Sequence, residues 1–126
     1  MALTDDDIRA WHVDPRSGHR VRTGEGLEVG DDVIIGDRVT FGDGVALGDG
    51  TTLGNRVRAA VGVQFGDGVM VGDDTTLGSR VGVGDGATIG NRVTVGNGAR
   101  VGDGADIDAG ESLAEGAIIP DGAFLL

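Results

Sequence analysis

The chain contains no cysteine, no tyrosine and no lysine, and only two histidines, His12 and His19, and two prolines among its 126 residues. Without cysteine no disulfide can hold the fold, so burial of apolar side chains must suffice. No stretch is long or apolar enough to span a membrane, and residues 1–22 lack the apolar centre of a signal peptide, so membrane insertion and signal-directed export are not expected. The expected location is the cytoplasm or an assembled particle. All ten basic side chains are arginine, against 17 Asp and 4 Glu, for a net charge of −11. Lysine-free, aspartate-rich composition points to a high-salt environment. It does not point to a nucleic-acid partner, and mimicry of nucleic acid would need phosphate-like spacing along a path.

What the chain does have is glycine, 26 of them, at a fixed interval. From Thr23 to Phe124 one six-residue unit recurs seventeen times without insertion, as in Val29-Gly30-Asp31-Asp32-Val33-Ile34 and Phe41-Gly42-Asp43-Gly44-Val45-Ala46. Fifteen of the seventeen lead positions are Val, Ile, Leu or Phe, and thirteen of the positions that follow are Gly. The lead residue and the residue two places before it are apolar or small, with a mostly polar residue between them, which is strand alternation. Gly-Asp-Gly, Gly-Asn-Arg or Gly-Asp-Asp then interrupts each short strand with turn chemistry. Straight segments with a corner every six residues close into triangular coils of three units, and residues eighteen apart stack. The pattern resembles the hexapeptide-repeat, left-handed parallel β-helix family, whose motif is an aliphatic residue, Gly, two variable residues, a small residue and one more. The resemblance implies an all-β, single-domain solenoid of about 5.7 coils over residues 23–126.

Residues 1–22 are expected to form a cap. Thr4-Asp5-Asp6-Asp7 before Ile8 reads as an N-capped helical turn, and residues 12–21 as a hairpin punctuated by Asp14-Pro15 and Ser17-Gly18. Such a lid protects the exposed edge of the first coil. The last coil, with Ile118 and Phe124 in outward positions, is expected to show an apolar patch. The weak unit is Ala59-Ala60-Val61-Gly62, which lacks both a large lead residue and a corner aspartate, with Phe41 and Leu77 stacked on either side of Ala59.

Stacking by eighteen places Asp31, Asp49, Asp67, Asp85, Asp103 and Asp121 at one corner, about 4.8 Å apart. Adjacent carboxylates repel by about 1 kcal/mol in dilute buffer, and molar salt shortens the screening length to about 3 Å. The row is a candidate array of Ca²⁺ or salt-cation sites, carboxylates being hard oxygen ligands; the other reading is a solvated row of turn residues. A second corner mixes Arg38, Arg56, Asp74 and Arg92 with Asp37, Asn55, Asp73 and Asn91, which reads as solubility and register.

Enzymes that the repeat resembles carry a catalytic histidine on a coil wall or extruded loop, with a cofactor slot formed by loops and a C-terminal extension. Here no coil contains a histidine and no loop interrupts the coils. The γ-carbonic-anhydrase branch needs three histidines on zinc, and the chain has two. Phosphate-binding loops must precede a helix, and none follows these glycines. The row Thr40, Arg58, Thr76, Thr94, Ser112 is too interrupted for an ice-binding lattice. The expectation is therefore a non-catalytic, self-associating module without a cofactor: a homotrimer, as in a surface or virion decoration protein, or an end-to-end polymer such as a bactofilin-like filament. The association face would carry Ile34, Met70 and Phe124 on one outward row, with Ile118 on the alternative row Glu28, Ala46, Gln64, Gly82, Arg100. The alternative is a divergent hexapeptide-repeat enzyme, an acyltransferase or γ-carbonic-anhydrase-like protein, with missing groups supplied by a partner chain.

Overall fold

Alternation of apolar and polar residues for two or three positions, then a turn, leaves the backbone one way to satisfy its hydrogen bonds: against the next coil. The computed structural model describes residues 21–125, and they contain parallel strands and turns but no helix. The cap expected for residues 1–22 lies outside these residues except for Val21–Arg22, which already form a strand. Among the described residues no helix is long and apolar enough to cross a membrane.

Eighteen strands fall into three parallel sheets of six, each pairing residue i with residue i+18. Face one runs from Val21–Arg22 through Val39–Phe41, Arg58–Ala59, Thr76–Leu77 and Thr94–Val95 to Ser112–Leu113. Face two runs from Glu28–Val29 through Ala46–Leu47, Gln64–Phe65, Gly82–Val83 and Arg100–Val101 to Ile118–Ile119. Face three runs from Ile34–Ile35 through Thr52–Leu53, Met70–Val71, Thr88–Ile89 and Asp106–Ile107 to Phe124–Leu125. The chain is thus a three-sided, left-handed β-helix. Most strands are two residues long, because the corner takes up the rest of each unit.

The interior is one continuous column from Leu27 to Leu113. Ala59 is buried in register between Phe41 and Leu77, so the weak unit is carried by its larger neighbours. Two inward positions hold threonine instead of valine. The Thr75 hydroxyl donates to Gly90 O at 2.9 Å, and Thr51 Oγ1 lies 2.9 Å from Gly48 O and 3.1 Å from Gly66 O, so burial leaves neither hydroxyl unsatisfied.

The corners explain why the repeat needs two kinds of glycine. At every corner one residue has φ between 58° and 79°: eleven are glycines, and the others are Asp32, Arg38, Arg56, Asp74, Arg80 and Arg92. Gly68, at φ 69° with open space around it, answers this backbone demand alone. Gly66, two residues earlier, has no positive φ, but a Cβ there would lie 2.7 Å from Asp85 N and 2.9 Å from Gly84 C, and would collide with Asp85 Oδ1. That oxygen accepts the Asp67 N–H at 2.8 Å. The glycine clears the space, and the acidic or amide side chain of the next coil enters it to accept the N–H beside it.

The same couple recurs wherever a corner has Asp or Asn in reach of the coil before it, ten times between Glu25–Asp43 and Asp103–Asp121. Each of these acceptors faces a glycine of the preceding coil. Where the glycine is replaced by Ala60, the facing corner residue is Ser79, whose N–H donates to Asn97 Oδ1 and whose carbonyl accepts from Gly98 N–H, both on the next coil.

Gly66→Ala is expected to cost about 3 kcal/mol in urea unfolding, through overpacking plus the displaced acceptor, whereas Gly68→Ala costs about 1 kcal/mol through backbone strain alone. Equal losses would mean that conformation, not space, fixes Gly66. At low ionic strength Asp67→Asn should match or exceed the wild-type stability, since it keeps the accepting oxygen and removes a charge from the row; Asp67→Ala should lose about 1 kcal/mol.

Candidate functional site

Because the interior is filled, ligands can meet only the three outward faces, the corners between them and the ends. Outward strand side chains form flat rows, and a concavity arises only where a small residue interrupts a row or where long corner side chains rise above it.

The aspartate row stands where the eighteen-residue spacing puts it, and its carboxylates are partly committed. Asp49, Asp67, Asp85, Asp103 and Asp121 each use Oδ1 to accept the N–H of the aspartate one coil earlier, at 2.8–2.9 Å. Among the described residues no group of three or more His, Cys, Asp or Glu is placed to hold a metal ion. The four apolar positions are all outward, with exposures of 60% for Ile34, 55% for Met70 and 73% for both Ile118 and Phe124. Ile34, Met70 and Phe124 share face three in register, whereas Ile118 lies on face two.

Three grooves follow the faces. On face one, Arg38, Arg56 and Arg58 with Thr40, Asp74 and Thr76 border a hollow of about 400 Å³. Here Arg56 grips Asp74 with two bonds, Nε to Oδ1 at 2.6 Å and Nη2 to Oδ2 at 3.2 Å. Arg38 Nε lies 3.8 Å from Asp37 Oδ2. On face three, Met70, Thr88, Asn91, Asp106 and Asp108 border a smaller hollow of about 290 Å³. Another, of about 570 Å³, lies on face two and is lined by Gln64, Arg80, Gly82 and Arg100 among others. These volumes fall in or near the range of small-molecule sites.

Gly82 makes the face-two groove. It is the only glycine at an outward strand position among the described residues, paired with Gln64 on one side and Arg100 on the other. Sequence reasoning placed Gly82 in an outward row but did not connect it with Arg80. Arg80 belongs to a corner two residues earlier, and its stem turns toward Gly62, with Cγ 3.3 Å from where a Cβ on Gly62 would stand.

The Arg56 bonds and charge hold the Asp74 carboxyl below its ordinary value, and the same contact raises Arg56. Since the folded value is depressed, the contribution of the pair is present above the unfolded carboxylate range and is lost as pH falls through the folded value. Carboxyl NMR titration should find the Asp74 midpoint below 3.8, and in Arg56→Gln it should return toward that value. An unchanged midpoint in the variant would refute the assignment to Arg56.

Residues 68–103 match the family model described as bacterial transferase hexapeptide (six repeats), and residues 26–57 match the hexapeptide repeat of succinyl-transferase. A search of curated proteins finds no match. Among solved structures, the chain is similar to the acetyltransferase domain of PglB from Neisseria gonorrhoeae in complex with acetyl coenzyme A, with TM-score 0.58 and 23% identity, over 82% of this chain and 47% of that one. It is also similar to a histidine-to-alanine mutant of GDP-perosamine N-acetyl transferase from Caulobacter crescentus in complex with CoA and GDP-perosamine, with TM-score 0.65 and 19% identity, over 85% of this chain and 51% of that one. The chain therefore spans about half the length of these structures.

The expectation of a non-catalytic assembly module is corrected by these matches, which are to acetyltransferases with coenzyme A bound. That expectation rests on the absence of a histidine from the coils and of a loop between them, whereas this chain spans only about half of the matched structures. Two repeat models on separate stretches and an eighteen-residue parallel register throughout agree: the chain belongs to the hexapeptide-repeat, left-handed parallel β-helix family.

Proposed function

We propose that the chain is the β-helical part of an acyltransferase that moves an acyl group from a coenzyme A thioester to an amine or hydroxyl. The observation that carries this reading is the match of over four-fifths of this chain to acetyltransferases described with acetyl coenzyme A or CoA bound. The chemistry asks for three things: a groove for an extended donor, a base that titrates near neutrality, and exclusion of water from the thioester carbon. The faces supply grooves. His12 and His19 are the only imidazoles in the sequence and hence the candidate bases, and both lie outside the described residues. In the reaction the base takes the proton of the nucleophile as it adds to the thioester carbonyl, and the tetrahedral adduct collapses with loss of the coenzyme A thiolate.

A flat face covers a donor only from one side, which favours a site shared between copies of the chain. Face three, with Ile34, Met70 and Phe124 exposed, is the proposed packing surface, and a closed trimer places each groove beside a neighbour.

The test is thiol release from acetyl coenzyme A with a panel of amino-sugar nucleotides, amines and alcohols as acceptors. Acceptor-dependent release is expected, with a loss of about 10²-fold or more in His12→Ala or in His19→Ala. If the wild-type chain neither binds coenzyme A nor releases thiol with any acceptor, the proposal fails.

A further inference from the structure

We infer that the face-two groove around Gly82 is a binding site for a phosphorylated small molecule, held by Arg80 and Arg100. The inference stands apart from the acyl-transfer reading and rests on three observations.

The first is that nothing in the fold calls for glycine at position 82. Its φ is not positive and a Cβ there would meet no atom within 4 Å, unlike Gly66 or Gly84, where the next coil fills the space. Glycine weakens a strand, and in a strand it marks a place where a ligand or another backbone comes close. Every other outward strand position among the described residues carries a side chain. At Gly82 the row is cut down to the main chain, and the notch lines a hollow of about 570 Å³.

The second is charge. In a chain of net charge −11, two arginines border this notch and no acidic residue lines it. Among the described residues neither Arg80 nor Arg100 has an ion-pair partner, in contrast to Arg56, whose guanidinium is taken up by Asp74. The carboxylates at the far edge of the face, Asp67, Asp85 and Asp103, each turn Oδ1 to a backbone N–H. Two planar guanidinium forks that flank an open strand suit the oxygens of a phosphate or diphosphate, and the Gln64 amide adds a neutral donor.

The third is the floor. The Gly82 main chain lies open beneath the arginines, the side chains of Phe65, Val83 and Val101 being turned into the core, and the hollow of about 570 Å³ exceeds what a bare phosphate needs. An anionic head between the guanidinium groups leaves room for an organic body along the face.

Inorganic pyrophosphate is the probe, added to the full chain at low ionic strength and followed through arginine Nε–H NMR resonances and calorimetry. The expected result is a single saturable curve on which the Arg80 and Arg100 resonances shift together. Arg80→Gln and Arg100→Gln should each weaken binding about tenfold or more, and Arg58→Gln, on face one, should leave it unchanged. Gly82→Val separates binding from folding: valine suits a strand and meets open space, so the variant should melt no lower than wild type yet lose pyrophosphate. Pyrophosphate binding that survives Gly82→Val overturns the proposal, as does equal weakening by Arg58→Gln, which would assign the effect to diffuse charge. It is likewise overturned if pyrophosphate fails to saturate these resonances while an acidic peptide such as polyaspartate does so, because the partner is then a polypeptide.

Discussion

A side-chain oxygen that enters the space left by a missing Cβ and accepts a backbone N–H one coil away is the contact on which the stack depends. Strand ladders hold parallel coils together along the faces and each corner adds a backbone bond to the coil before it, such as Gly68 N–H to Asp49 O at 2.7 Å, but the N–H groups of the residues that follow the clearing glycines need other acceptors. Asp and Asn supply them, provided the residue before the donor is glycine. Neither half is useful alone: the glycine without the acceptor is an entropic cost, and the acceptor without the glycine has no room. That mutual requirement accounts for the absence of insertions within the repeat, because a shift of one residue breaks the couple at every corner it crosses. It also accounts for Ala60 opposite Ser79, a site where both halves have been lost together.

The architecture could be read from the chain because a period of six fixes which residues face inward and which share a column. The inward stacks Val29, Leu47, Phe65 and Ile35, Leu53, Val71 follow from that arithmetic and appear in the structure without revision. The role of Asp67 and its column did not follow. Spacing shows that carboxylates stack, and from that alone they read as a repulsive row or a set of cation ligands. Only coordinates show that one oxygen of each is turned inward to an amide. Arg80 escaped for a related reason: it is a corner residue, and a repeat alignment does not say toward which neighbour a long side chain leans.

Function was the least legible layer, and the repeat explains why. Inward and corner positions are constrained by stacking, and they consume most of the sequence signal. Outward strand positions are free, so whatever chemistry the protein performs is written in few residues and on no regular pattern.

The column through Asp43, Val61 and Ser79 has another consequence. Solenoid stability is close to a sum of couplings between adjacent coils, and this column lacks its corner couple on both sides of Val61, whose side chain is half exposed in the middle of the stack. The stack therefore has a seam where the coils on either side of Val61 meet through strand ladders and backbone corner bonds alone, Gly62 N–H to Asp43 O and Arg80 N–H to Val61 O, with no side-chain latch at that corner. Gly62 and Gln64 lie on one side of that seam and Arg80 and Arg100 on the other, all along the same groove. A molecule seated there spans the joint and acts as a clasp, so occupancy of the groove and the cohesion of the two half-stacks become one linked equilibrium.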